Sequence, residues 1–251
     1  MLRYVPFAEG EFYHIYSRGV EKRKIYLDDL DYFRFVLLLY LCNTTENIHL
    51  SKIFRDLKRR KNKSGQGDAL TRQELLKLFE MPLKNRLVSV CIWCLMPNHF
   101  HLILKETREG GITQFMQKLM TAYSMHFNKK YERSGPLFTT PFRSKHIKDD
   151  KYFQCLFGYV HLNPVKIIDS KWKEKGIKDI KKAKDFLRKY KYSSYLDFLG
   201  QDRPEKNILS LEDVPDYFSG VGGFKNFVGF WTENALLYAD ENEENKEDEE
   251  I

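Results

Sequence analysis

Leu87-Val88-Ser89-Val90-Cys91-Ile92-Trp93-Cys94-Leu95-Met96-Pro97-Asn98-His99-Phe100-His101-Leu102-Ile103-Leu104-Lys105 is the stretch that decides the fold. It reads as two strands, Leu87 to Leu95 and His99 to Lys105, with Met96-Pro97-Asn98 as a tight connection. Both strands are apolar on both faces, which predicts a central position with helices covering one side. Side chains on a strand alternate, so His99 and His101 project to one side and Phe100 to the other. Two neutral imidazoles side by side make half of a metal site, although an H-x-H alone is more often structural. Cys91 and Cys94 form a C-x-x-C, but at i and i+3 on a strand they face opposite sides. Core filling is therefore expected there, not a shared zinc.

Upstream of this pair, Phe12 to Arg18 has the aromatic and β-branched content of a strand and stops at Gly19. Asp28 or Asp29 caps a helix to about Leu41, with Leu30, Phe33, Val36, Leu37 and Tyr40 at helical spacing. Residues 43–84 look like an insertion, with the basic run Lys58 to Lys63 expected in a solvated loop and a short helix, Thr71 to Phe79, opened by the capping box Thr71-Arg72-Gln73-Glu74. After the hairpin come an amphipathic helix from Ile112 to Asn128, a strand from Phe142 to Ile147, and a helix capped by Asp149 or Asp150 that ends near Asn163, before Pro164. Strand, helix, strand, strand, helix, strand, helix is α+β, most simply an antiparallel sheet with packed helices. The expected organisation is a core over residues 1–170 with a basic insertion at about 43–84, a helical extension over 171–238, and an acidic tail over 239–251 that is too charged to fold. Gly220 to Gly223 is expected as a loop before a last helix around Phe227 to Leu237, and no G-K-[ST] follows it to make a phosphate loop.

The net charge of +7 conceals an asymmetry. Residues 240–250 hold eight acids and one lysine, so the rest of the chain carries +14, a body suited to a polyanion such as DNA or RNA. With 42% hydrophobic residues the chain can build a core. Four cysteines do not make a disulfide framework at this length, and no signal-peptide or membrane-spanning run is visible, so a reducing cytoplasm and no membrane are expected.

The chemistry these residues permit centres on His99, His101 and the segment Tyr159-Val160-His161-Leu162-Asn163-Pro164. An oxygen of Asn163 can complete the protein part of a coordination sphere begun by the two histidines. Tyr159 lies four residues before Asn163, on the same face of a helix, where its phenol can attack a phosphodiester and form a covalent phosphotyrosine. A phenol with a reference pKa of about 10 needs help to lose its proton, and His161, Lys145 and Arg143 are the candidates. Tyr123, with His126 at i+3, is a rival nucleophile, and His14 on the first strand is a candidate neighbour of the site. Arg18, Arg143, Lys145, Lys171 and Lys173 are candidate phosphate contacts, with Lys175 and the lysines from 178 to 191 behind them.

Met96 to Leu102 resembles the HUH motif, and Tyr159-Val160-His161-Leu162-Asn163-Pro164-Val165 resembles the single-tyrosine helix of the IS200-like transposases, especially the branch associated with repetitive extragenic palindromes (REP). His14 to Gly19, Gly135 to Phe138, Phe142 to Ser144 and Tyr192 to Tyr195 resemble the same branch, so the likeness spans roughly residues 12–198. The resemblance implies an RRM-like, or ferredoxin-like, antiparallel sheet, a divalent cation, Mg²⁺ or Mn²⁺, and cleavage and rejoining of single-stranded, hairpin-bearing DNA through a 5′-phosphotyrosine. It implies His99 and His101 as metal ligands, Asn163 as the third ligand and Tyr159 as the nucleophile, which demotes Tyr123. The insertion and the acidic tail depart from the family and bear on DNA specificity and on whether the unit is a monomer or a homodimer. A nonenzymatic nucleic-acid binder derived from a transposase and a rolling-circle initiator are the alternatives.

Overall fold

Four extended segments build one sheet. In the computed structural model, which describes residues 6–47, 50–63, 70–216 and 220–234, the strands are β1 (Phe12–Arg18), β2 (Val88–Met96), β3 (His99–Glu106) and β4 (Arg143–His146). They hydrogen-bond in the order β2-β3-β1-β4, and every neighbouring pair is antiparallel. The helices are α1 (Asp29–Leu41), α2 (Leu50–Lys63), α3 (Arg72–Leu76), α4 (Gly111–Lys130), α5 (Asp150–Leu162), α6 (Trp172–Lys175), α7 (Ile180–Leu187), α8 (Tyr195–Phe198) and α9 (Gly220–Glu233). With α1 between β1 and β2 and α4 between β3 and β4, the order is that of a ferredoxin-like α+β sheet, as expected. Among the described residues no helix is long and apolar enough to cross a membrane.

The sheet is covered on both faces, not one. Ile15, Trp93, Phe100, Leu102 and Leu104 belong to a first core with Phe35 of α1 and Phe115 and Leu119 of α4. Ile92, Cys94, Met96 and Ile103 belong to a second core with Phe157 of α5, Trp172 of α6, Leu187 of α7, Tyr195 of α8 and Phe224 of α9. This second layer explains why β2 is apolar throughout. Nor is β2 central: it is the edge strand, and the segment 192–194 closes that edge, with Ser194 N donating to Trp93 O and Leu95 N to Tyr192 O, each at 2.9 Å. A β-bulge between Val90 and Ile92 shifts the pleat by one residue. Cys91 and Cys94 consequently enter the same core instead of opposite ones, both as free, buried thiols.

The helix ends are fixed by carboxylates. Asp28 caps α1 by accepting from Asp31 N, and buried Asp31 accepts from Leu27 N, Lys130 Nζ at 2.8 Å and Tyr131 Oη at 2.7 Å, tying the start of α1 to the end of α4. Glu106, the last residue of β3, accepts from Gly111 N and Ile112 N and so caps α4. Asp149 caps α5 through Tyr152 N. After Leu162 the chain tightens into a 3-10 turn, Asn163–Ile167, which accommodates Pro164 near its start and keeps Asn163 in helical geometry.

Two expected loops are helical. The basic run from Lys58 lies on α2, because Leu50, Ile53, Phe54 and Leu57 recur at i, i+3, i+4 and i+7 and pack against the first core. The last helix begins at Gly220, inside the glycine cluster, because Phe224, Val228 and Trp231 form a continuous helical stripe on the second core. The expected disorder of residues 239–251 lies outside the described residues.

Candidate active site

Strand register assembles the site before any helix is added. Opposed residues of antiparallel strands share a face, and β3 sets His101 opposite Tyr16 and His99 opposite Arg18. On the other side of β1, His14 pairs with Lys145 and Tyr16 with Arg143. One sheet face therefore presents His99, His101, His14, Tyr16, Arg18, Arg143 and Lys145 together. Helix α5 and the turn after it cross this face and contribute Tyr159, Asn163 and Lys166, and α6 adds Lys173. These side chains line one cavity of about 540 Å³.

One ring nitrogen of each histidine is engaged by a neighbour. His99 Nδ1 lies 2.7 Å from Asn98 Oδ1, and the Asn98 amide is oriented by its Nδ2 donating to Lys22 O at 3.3 Å. An amide oxygen only accepts, so His99 carries its proton on Nδ1 and its Nε2 has a bare lone pair. His101 Nδ1 lies 2.9 Å from His14 Nε2, and donation from His101 leaves its own Nε2 as a lone-pair donor as well. That Nε2 is buried and has no hydrogen-bond partner, and the same is true of both amide atoms of Asn163, which is 1% exposed. Buried polar atoms are normally paired, so three orphaned donor and acceptor atoms on one cavity fit a ligand or cation. Among the described residues no group of three or more histidine, cysteine or carboxylate side chains is arranged to hold a metal. The donor set that fits is two imidazole nitrogens and one amide oxygen, His99, His101 and Asn163. Burial, followed by the charges of Arg18, Lys173 and Lys166, holds the His99 imidazolium pKa down at about 3, and burial with His99 and His14 lowers that of His101 well below the usual range, so both rings are neutral.

Tyr159 is 8% exposed, and its ring meets His101 edge to face at 5.8 Å. Its hydroxyl accepts from Lys173 Nζ at 2.5 Å, and the same ammonium sits 4.3 Å from the ring centroid. The cavity wall is cationic, with Arg18, Lys22, Arg143, Lys145, Lys166 and Lys173 against the single acid Glu21. Such a wall suits a phosphodiester backbone.

The structure separates the other candidates. Tyr123 lies in the first core, across the sheet from the cavity, with no exposure and its hydroxyl donating to Ile25 O at 2.5 Å; burial pushes its phenol pKa up. His161 does not reach the cavity. It is fully buried between Phe157 O and Ser194 Oγ, each 2.9 Å away, because one residue in every turn of α5 must face the second core. Lys171 is exposed and does not line the cavity, and Lys191 is engaged with Asp29. Arg18, Arg143, Lys145 and Lys173 do line it. Sequence reasoning missed Tyr16, Lys22 and Lys166; the alternation His14, Tyr16, Arg18 was the available signal for the first.

The sheet thus sets a histidine pair against a helical tyrosine in a cationic cavity suited to anionic, phosphate-bearing ligands. Residues 57–166, the segment that carries β2, β3, α4, β4 and α5, match the family model of the IS200-like transposases. Among solved structures the chain is similar to a REP-associated tyrosine transposase bound to a REP hairpin, with 13% identity and a TM-score of 0.41 over 80% of this chain and 87% of that one. No curated protein sequence matches the chain.

Proposed function

We propose that the protein cleaves and rejoins single-stranded, hairpin-bearing DNA with Tyr159 as nucleophile. The observation that carries this reading is the convergence of the Tyr159 hydroxyl with the orphaned atoms of His101 and Asn163 in one cationic cavity. His99, His101 and Asn163 are suited to hold a divalent cation, Mg²⁺ or Mn²⁺, which when bound would supply Lewis-acid polarisation of a phosphoryl oxygen. Arg18, Arg143 and Lys145 bind and orient the DNA backbone from the sheet side, and Lys166 does so from the turn after α5. The Tyr159 phenol attacks phosphorus and forms an aryl phosphate ester, while the bridging oxygen leaves as a 3′-hydroxyl. Because the ester is exchanged and not hydrolysed, a second 3′-hydroxyl can reverse the step and join a new strand. His14, by accepting from His101, holds that ring in the orientation the donor set requires. The match of residues 57–166 to the IS200-like transposase family model supports this substrate class.

The test is incubation with labelled hairpin-bearing single-stranded DNA and Mn²⁺, followed by a denaturing gel. A covalent adduct is expected that disappears in Tyr159→Phe and with chelator. An adduct that persists in Tyr159→Phe overturns the assignment of the nucleophile, and binding without an adduct on any hairpin favours a nonenzymatic DNA binder.

A further inference from the structure

We propose that Lys173 is a further catalytic residue of this site: its ammonium holds the Tyr159 oxygen and balances the negative charge that oxygen carries on entering and leaving the phosphodiester. The inference rests on the reading of Tyr159 as nucleophile. Lys173 lies outside the segment matched by the transposase family model, on the short helix α6, so that match assigns it nothing.

The geometry is specific. Lys173 Nζ donates to the Tyr159 hydroxyl at 2.5 Å and stands 4.3 Å from the ring centroid, so one charge serves the oxygen and the π face together. The position of Lys173 is fixed by its neighbour. Trp172 is fully buried in the second core, and the loop beyond α6 is closed by Lys178 N donating to the Asp169 carboxylate at 3.1 Å. A lysine on a flexible four-carbon stem is ordinarily a diffuse contact, but here its backbone is anchored one residue away from a packed tryptophan. Tyr159 is nearly buried, so the ammonium acts on it with little screening by water.

Ammonium and phenol oxygen together suit a reversible transfer. In the forward step the phenol O–H bond breaks and its proton passes to water, the Tyr159 oxygen–phosphorus bond forms, the phosphorus–O3′ bond breaks, and the departing 3′ oxygen takes a proton from water. In the reverse step the phenolate is the leaving group. Lys173 favours the charged oxygen in both directions without giving up its own proton, which makes it an electrostatic partner and not a base. No oxidation or reduction is involved.

The test uses the full chain and single-turnover adduct formation on the labelled hairpin DNA, with DNA affinity measured separately in a Tyr159→Phe background. Lys173→Met is expected to slow adduct formation by about 10²-fold, the order found for removal of one preorganised donor at a reacting oxygen. DNA affinity and the thermal midpoint are expected to stay at the parental level, and Lys173→Arg to recover most of the rate. A difluorinated, more acidic tyrosine at position 159 is expected to restore much of the rate that Lys173→Met removes, which a purely structural role of the lysine does not predict. Parental rate in Lys173→Met overturns the proposal, as does a slowing matched by an equal weakening of DNA binding, which would make Lys173 a phosphate contact. The fluorine resonance of that modified tyrosine, read without DNA, should move in Lys173→Met and stay in Lys171→Met; an unmoved resonance removes the contact itself. A parental protein that forms no adduct sinks the reading of Tyr159, and the fluorine measurement then shows separately whether the contact exists.

Discussion

His14 Nε2 and His101 Nδ1 lie 2.9 Å apart across β1 and β3, with their rings nearly parallel at 17° and 5.1 Å between centroids. The contact is diagonal, since His14 is opposite Ile103 and His101 is opposite Tyr16. It commits one nitrogen of His101 to the sheet and turns the other into the cavity. His14→Ala should lower Mn²⁺ affinity of the DNA-bound protein by about 10–100-fold, the usual cost of removing a ligand's orienting partner. His14→Gln, whose amide oxygen can still accept from Nδ1, should retain most of it. Calorimetric titration of Mn²⁺ checks both, and equal affinities in His14→Ala and the parent would remove His14 from this role.

The donor set of two neutral imidazoles and a neutral amide carries no negative charge, and Arg18, Lys166 and Lys173 stand close enough to depress His99. A divalent cation held by this proposed set would therefore need its compensating charge from a bound phosphate. Mn²⁺ binding to the Tyr159→Phe protein should be weak alone and at least about tenfold tighter with hairpin DNA, a coupling of about 1.4 kcal/mol that must act equally on DNA affinity. Titrations in both orders measure it, and identical affinity with and without DNA would contradict it.

Arg143 and Lys145 project from β4 onto the same face as Tyr16 and His14. Replacing either by alanine should weaken DNA binding across sequences and reduce the slope of log affinity against log salt by about 0.7 for each single-strand phosphate no longer neutralised. A salt series by fluorescence anisotropy reads the slope, which Lys171→Ala should leave unchanged because Lys171 lies outside the cavity.

Stability and chemistry separate at two buried groups. Tyr123→Phe leaves Ile25 O without its hydroxyl donor and should cost about 1 kcal/mol while leaving adduct formation intact. Arg203→Met strands the buried Asp197 carboxylate, which Arg203 contacts through Nε at 2.7 Å and Nη2 at 2.5 Å, and should cost about 3–5 kcal/mol. Urea denaturation measures each effect, and a Tyr123→Phe protein that folds but forms no adduct would reopen the choice of nucleophile.

The fold was legible where one pattern governs a segment. Aromatic and β-branched content ending at Gly19 marked Phe12 to Arg18, and the pairs Asp28-Asp29 and Asp149-Asp150 marked two helix starts by their chemistry. The histidine pair, Tyr159 and Asn163 were legible because strand and helix periods fix which side chains share a face. What sequence could not supply depends on contacts distant along the chain. The bulge that brings Cys91 and Cys94 into one core has no local signature, and the packing of α5 to α9 as a second layer over the sheet depends on contacts such as Phe157 with Phe224 that no local pattern announces. Lys173 read as a candidate phosphate contact beside Lys171, and only the burial of Trp172 and the contact with Tyr159 set the two lysines apart.

The closure of the β2 edge by residues 192–194 bears on how copies of this chain can associate. The opposite edge is β4, four residues long and reading Arg-Ser-Lys-His, a length and charge that disfavour pairing with another strand. Among the described residues the sheet thus offers no edge suited to extension by a second copy. Two protomers that associate are left with helix and loop surfaces as their means of contact.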